Sequence, residues 1–368
     1  MVKLGKLTKI CTAVIALMVI FTSIQVEARA QGELDPIVVL YDARHAPQFA
    51  PDNEQTGLQL MLDMVNASTR YLLKVHRTDP INDTILEDVD ILIIASPDSS
   101  SEFEPVEVAA IKEMMTNGSS LLVLGDPAIS QNSTYWTEQQ FQDLGDNIAI
   151  NRVLDSLNVT GVRFSINETR NDRYWQDAMF DYELALNETS PWVLRMDTEN
   201  WDTEHPIFRD INELILMTAT LKPLDAVGVL ATGSESSFAQ YRRGPNTFAN
   251  FSFPNMSLAE FEERPRSYSA INGTFPPWLS AFEYGDSRVV VSGSTIMFSG
   301  RTLDLPESDS RHEQQWFYSA DNSRFFMNML DWLSEGFVSP PGAIEPLVII
   351  STGIFLIGVA YYIFKKVR

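Results

Sequence analysis

The chain has 368 residues, with 27 Lys and Arg against 49 Asp and Glu and a net charge of −22. A surface this acidic repels nucleic acid and anionic lipid headgroups, which sets aside a role in binding either polyanion. The single cysteine, Cys11, sits in the N-terminal apolar run, so everything after it lacks a thiol for a disulfide, a nucleophile or a thiolate metal site.

Lys3, Lys6 and Lys9 precede a charge-free run, Ile10–Ile24, and Ala28-Arg29-Ala30 places small residues where a signal peptidase reads. Residues 1–30 are therefore expected to be a cleavable signal peptide. An uncleaved anchor is the alternative, but the run is short for a span. Ile37–Tyr41 is an apolar, β-branched run ending in Asp42, as a buried strand would be. An irregular stretch leads to a helical pattern around Leu58, Leu60, Met61, Leu62 and Val65. Strands are expected at Tyr71–Val75 and Ile91–Ala95, the latter ending in Ser96-Pro97-Asp98. Glu104–Met115 reads as a helix with Pro105 in its first turn and Asn117-Gly118 as its stop. Ser120–Leu124 follows as a strand ending in Gly125-Asp126. Continuous apolar strands alternating with helices predict an α/β fold with a mostly parallel sheet flanked by helices, in flavodoxin-like layers.

From 131 to about 204 the pattern weakens to a helix at Asn147–Leu157 and a strand at Gly161–Ser165 in polar surroundings, as in a loop-rich insertion. Strand-like runs return at Leu214–Thr218, Ala226–Thr232, Phe248–Phe253 and Arg288–Val291. A helix at Asn322–Leu333 turns Phe325, Phe326, Met329, Leu330 and Leu333 to one face. The body spans 31–338, and 339–346, with Ser339-Pro340-Pro341-Gly342, reads as a stalk. Leu347–Phe364 carries no charge and as a helix covers roughly 27 Å, the thickness of a bilayer core. Tyr361, Tyr362, Lys365, Lys366 and Arg368 mark its cytoplasmic end, with 365–368 as the tail. The expectation is a single-pass type I protein of the cell membrane or endoplasmic reticulum membrane. Ten sequons, at Asn66, Asn82, Asn117, Asn132, Asn158, Asn167, Asn187, Asn250, Asn255 and Asn272, predict a glycoprotein.

In a parallel sheet, ligands bind beyond the carboxyl ends of the strands. Asp42, Ser96, Asp98, Asp126, Ser292 and Ser294 fall there, with His45 on the first loop. Carboxylates with one histidine could hold a hard cation or serve as acid and base. Asp and Ser after strands are also the usual caps and turn formers. No HExxH, nucleophile elbow, GxGxxG or P-loop occurs, so neither a metal nor a cofactor is expected. Trp175, Trp192, Trp201, Phe275 and Trp278 could form a sugar platform or pack in the core.

The runs Ile37–Asp42, Asp90–Pro97, Asn117–Asp126, His205–Phe208, Gly285–Ser294 and Asn322–Leu333, in this order, resemble the class I glutamine-amidotransferase-like fold in its non-catalytic, membrane-associated branches. The order is similar to that of GldG-type proteins linked to ABC transporters and of the Wbp-type non-catalytic subunit of oligosaccharyltransferase. The amidotransferase nucleophile is a cysteine, which this body lacks, so the resemblance implies a fold without glutaminase activity. It implies a subunit that docks membrane-protein partners through a single span, with a glycan as a possible ligand. The alternatives are a metal-assisted hydrolase or a glycan- or ligand-binding receptor using the carboxyl-end loops.

Overall fold

A computed structural model describes residues 36–97, 102–127, 146–169, 173–186, 191–224, 228–243, 266–269, 275–303, 314–335 and 337. The chain divides into two units, one formed by Pro36–Glu335 and one by Met1–Asp35 with Gly336–Arg368. The segments expected to be a signal peptide, a stalk, a membrane span and a tail lie outside the described residues, as do Asp98, Asn132, Asn187, Asn250, Asn255, Asn272 and the run Phe248–Phe253. Among the described residues, no helix is long and apolar enough to cross a membrane.

The strands are β1 (Ile37–Asp42), β2 (Tyr71–His76), β3 (Ile91–Ala95), β4 (Ser120–Leu124), β5 (Val162–Phe164), β6 (Ile166–Thr169), β7 (Arg173–Phe180) and β8 (Leu194–Asp197). They continue with β9 (Glu213–Leu216), β10 (Leu221–Pro223), β11 (Val229–Thr232), β12 (Phe238–Arg243), β13 (Arg266–Ser269), β14 (Pro277–Tyr284) and β15 (Ser287–Ser292). The helices are α1 (Gln59–Ala67), α2 (Asp83–Leu86), α3 (Pro105–Thr116), α4 (Asn147–Ser156) and α5 (Asn322–Leu333).

Seven strands form the central sheet in the order β11-β14-β15-β4-β3-β1-β2. From β2 to β15 every neighbouring pair is parallel. At the far side β14 runs antiparallel to β15, and β11 antiparallel to β14. Every residue of β1, β3 and β4 is buried, which explains their unbroken apolar sequence: both faces are covered. Val38, Leu40, Leu92, Ile94, Leu121 and Val123 face α3 and α4, meeting Ile111, Met114, Ile150 and Val153. On the other side of the sheet α5 packs against β4 and β15, burying Phe325, Phe326, Met329, Leu330 and Leu333 as its periodicity predicts.

The hairpin from β14 to β15 has a two-residue loop in which Gly285, at φ +63, takes the position where a type II′ turn needs glycine. Pro277 opens β14, where its missing N–H is tolerated. Within 131–204, where a loop-rich insertion is expected, the described residues form several strands. Strands β6 and β7 join β12 and β13 in a four-stranded antiparallel sheet, and β8 pairs with β9. β7 does not look like a strand in sequence because two polar residues, Gln176 and Asp177, are buried on it. Gln176 Oε1 accepts the Asn147 amide at 2.5 Å, and Asp177 accepts the Thr220 amide at 2.9 Å.

The C-terminal end of α5 is tied to the amino ends of the parallel strands. Ser120 Oγ donates to the Leu333 carbonyl at 2.9 Å, and Arg70 donates to Asp331 at 2.9 Å and to Ser334 at 2.7 Å. Arg288 donates to the Trp332 carbonyl and to Glu335, and its guanidinium lies 5.0 Å from the Trp332 ring centroid. Ile37, at the start of β1, donates its amide to the Arg70 carbonyl. Pro36 and Glu335 thus both lie on the amino face of the sheet.

Candidate functional site

Two buried polar clusters occupy the carboxyl ends of the sheet. The first grows from the end of β1. Asp42 closes the strand, its Oδ1 accepts the Arg44 amide at 3.2 Å, and this turn brings His45 back over the carboxylate. His45 Nδ1 lies 2.6 Å from Asp42 Oδ2, with both side chains 1% exposed. His45 Nε2 lies 3.0 Å from Arg44 Nη1 and 3.4 Å from Glu107 Oε2, and Phe103 stacks on the ring at 3.9 Å.

Glu107 is the hub. It is the N3 residue of α3, where it completes a capping box with Glu104. Its Oε2 accepts the Glu104 amide, and its Oε1 accepts the Ile81 amide, both at 2.8 Å, while Arg44 Nη1 stands 2.5 Å from Oε1. Burial works to raise its pKa, but the two amides, His45 and Arg44 outweigh burial and hold the carboxyl below its usual range.

The second cluster joins β3, β4 and the segment after β15. Ser96 follows β3 at φ 41, an uncommon left-handed position for a serine. Its hydroxyl donates to Asp126 Oδ2 at 2.5 Å and lies 2.8 Å from Thr295 Oγ1. Asp126 Oδ1 accepts the amides of Thr295 and Ile296, both at 2.9 Å, and so caps the 3-10 turn Ile296–Phe298. Burial pushes the Asp126 pKa up to about 7 against the pull of Ser96, the two amides and Arg301. Arg301, 2% exposed, is lowered to about 9 by burial, and Asp126 opposes that shift. Its Nη2 donates to the Gln48 carbonyl at 3.2 Å, and its guanidinium lies 5.1 Å from the Phe49 ring centroid.

Of the residues singled out in sequence, Asp42 and His45 meet in one cluster, and Ser96 and Asp126 meet in the other. Ser292 and Ser294 shape the turn between β15 and the 3-10 turn. Ser292 Oγ accepts the Ser294 amide, and Ser294 Oγ accepts the Met297 amide, each at 3.4 Å. Among the described residues, no three His, Cys, Asp or Glu side chains could hold a metal ion. Glu107, Arg44, Thr295 and Arg301 were missed; only Glu107 carried a signal, the Glu-Pro-Val-Glu start of a capped helix. Trp192, Trp201 and Trp278 are buried, so none offers a face to a sugar. Of the sequon residues with described side chains, Asn66, Asn117 and Asn158 are exposed, whereas half-buried Asn82 caps α2 by accepting the Ile85 amide at 3.2 Å.

A search of curated proteins by sequence finds no match. Among solved structures, a cytoplasmic protein from Salmonella typhimurium is 12% identical, with TM-score 0.42 over 81% of this chain and 98% of that one. A second, from Salmonella typhimurium LT2, is 13% identical, with TM-score 0.41 over 81% of this chain and 99% of that one. A ThuA-like protein from Parabacteroides merdae is 9% identical, with TM-score 0.39 over 82% of this chain and 91% of that one. Likenesses this loose carry no argument about function. The family model described as an ABC-type uncharacterized transport system matches residues 32–329. By that match, which takes in nearly the whole α/β unit, the chain belongs to the ABC-type uncharacterized transport system family.

Proposed function

We propose that this chain is a non-catalytic, membrane-anchored subunit of an ABC-type transport assembly, and that it acts by docking to its membrane partners. The observation that carries this reading is the family match over residues 32–329. The carboxyl-end clusters support its non-catalytic part. Asp126 spends its oxygens on Ser96 and two amides, and Glu107 spends its own on two amides and Arg44. Groups held this way work as caps and locks. The resemblance to amidotransferase-like non-catalytic subunits, including that of oligosaccharyltransferase, fits the same role. The anchor would be the 347–364 run in a type I orientation, with the body extracellular or lumenal and glycans on exposed sequons such as Asn66 and Asn158.

The test is extraction of the full-length protein in mild detergent, cross-linking, and identification of partners by mass spectrometry. Co-purification with the ATP-binding or membrane-spanning subunit of an ABC transporter is expected. Recovery of a monomer with no transport subunit would overturn the proposal.

A further inference from the structure

A cavity of about 360 Å³ opens at the amino ends of β3 and β4, between α2 and α3. This is within the size range of ligand sites. Its floor is apolar, formed by Leu86, Ala110 and Met114, all 5% exposed or less. Three exposed carboxylates, Asp83, Glu87 and Glu113, stand around it. None of the three makes an ion pair with a described residue, whereas neighbouring Asp88 holds Lys74 and buried Glu107 holds Arg44. An apolar floor under a ring of carboxylates that lack ion-pair partners among the described residues suits a long cationic side chain, with its methylene stem on the floor and its charged head at the rim. Both ends of the α/β unit, Pro36 and Glu335, lie on this same amino face, fixed by the ties from Ser120, Arg70 and Arg288 to the end of α5.

We propose that this cavity receives an arginine or lysine side chain from the membrane-associated partner subunit, making the amino face of the sheet the docking face. The inference rests on the reading of the chain as a transport-assembly subunit and adds where, and by what chemistry, the partner engages it. Asn117 borders the cavity and is a sequon. A glycan on it would fill the mouth, so docking requires Asn117 to be unmodified in the native protein.

The experiment uses full-length protein in lipid nanodiscs, labelled at the methionine methyls, with the Met114 resonance assigned through Met114→Leu. Titration with acetyl-Gly-Arg-Gly-amide is expected to shift that resonance saturably, and the citrulline isostere is expected to leave it unmoved. In the Asp83→Asn, Glu87→Gln, Glu113→Gln triple variant, checked for folding by circular dichroism, apparent affinity is expected to fall about tenfold or more. A wild-type resonance that does not saturate, an equal response to citrulline, or unchanged affinity in the triple variant overturns the site. Saturation by spermidine without a response to the peptide assigns the cavity to a free polyamine and overturns docking. A glycan found on native Asn117 does the same. Co-purification of the triple variant with a transport subunit at wild-type yield removes the docking face but leaves the subunit reading standing. Failure of the wild type to co-purify strikes that reading instead.

Discussion

Asp126 is fully buried, and its pKa of about 7 makes the folded chain hold a proton that the unfolded chain releases near pH 4. Folding therefore takes up a proton between about pH 4 and pH 7. The carboxyl's contribution to stability falls as pH rises through that window, and the loss is complete above it. Asp126→Asn removes the titration while keeping an oxygen for the Thr295 and Ile296 amides. Urea denaturation of both proteins from pH 4 to 7 is expected to show a wild-type stability that declines relative to the variant by up to roughly 4 kcal/mol. Parallel curves would mean that Asp126 does not titrate in this range. Glu107 has the opposite sign: its lowered pKa contributes stability that is present above the ordinary carboxyl range and is lost on acidification. Glu107→Gln weakens the contact with Arg44 and sets an amide against the donor at Ile81 or Glu104. A loss of about 1–3 kcal/mol at pH 7 is expected by urea denaturation. The pair Asp42–His45 was legible in sequence because its members stand three positions apart in one turn. Glu107 and Thr295 reach their partners only through the fold, across 62 and 169 positions from His45 and Asp126.

At the scale of elements, two glycines separate crowding from backbone conformation. A Cβ on Gly293 would stand 2.2 Å from both the Ala219 carbonyl oxygen and Thr218 Oγ1. The chain cannot move away, since Gly293 is bonded to Trp278 and Ala219 through its own N–H and C=O. A Cβ on Gly285 would meet nothing within 4 Å, and only its φ of +63 resists alanine. Gly285→Ala is expected to cost about 1 kcal/mol, and Gly293→Ala about 3 kcal/mol or more, measured as a shift in urea midpoint. A Gly285 variant less stable than the Gly293 variant would contradict this account. The same contrast of burial explains which elements could be read. β1, β3 and β4 bury both faces and so write apolar runs with clear ends, and α5 writes one stripe. β7 buries Gln176 and Asp177 against Asn147 and Thr220, and such paired polar residues erase the alternation that marks a strand. β14 opens with Pro277 and buries Ser280, which gives it the look of a loop.

For the molecule as a whole, the two ends of the sheet carry different chemistry. The carboxyl end holds clusters whose charges are spent internally, on amides, hydroxyls and arginines. The amino end holds the unit's two chain ends and a cavity ringed by carboxylates without ion-pair partners among the described residues. Electrostatic complementarity sets encounter and register at an interface, so an acidic rim of this kind is where a basic partner gains most. Charge removal on the two ends should therefore have unequal effects on assembly. Glu102 and Glu104 are half-exposed at the start of α3, on the carboxyl end, paired with Arg152 and Arg44. Glu102→Gln with Glu104→Gln is expected to leave the yield of co-purified transport subunit within about twofold, because rim ion pairs in water contribute little. The Asp83→Asn, Glu87→Gln, Glu113→Gln variant is expected to lower that yield about tenfold, and the difference should shrink as salt rises from 50 to 500 mM and screens the wild-type contact. The reverse ranking would place the partner at the carboxyl ends, over Asp42, His45 and Asp126, and would return those clusters to consideration as a working site.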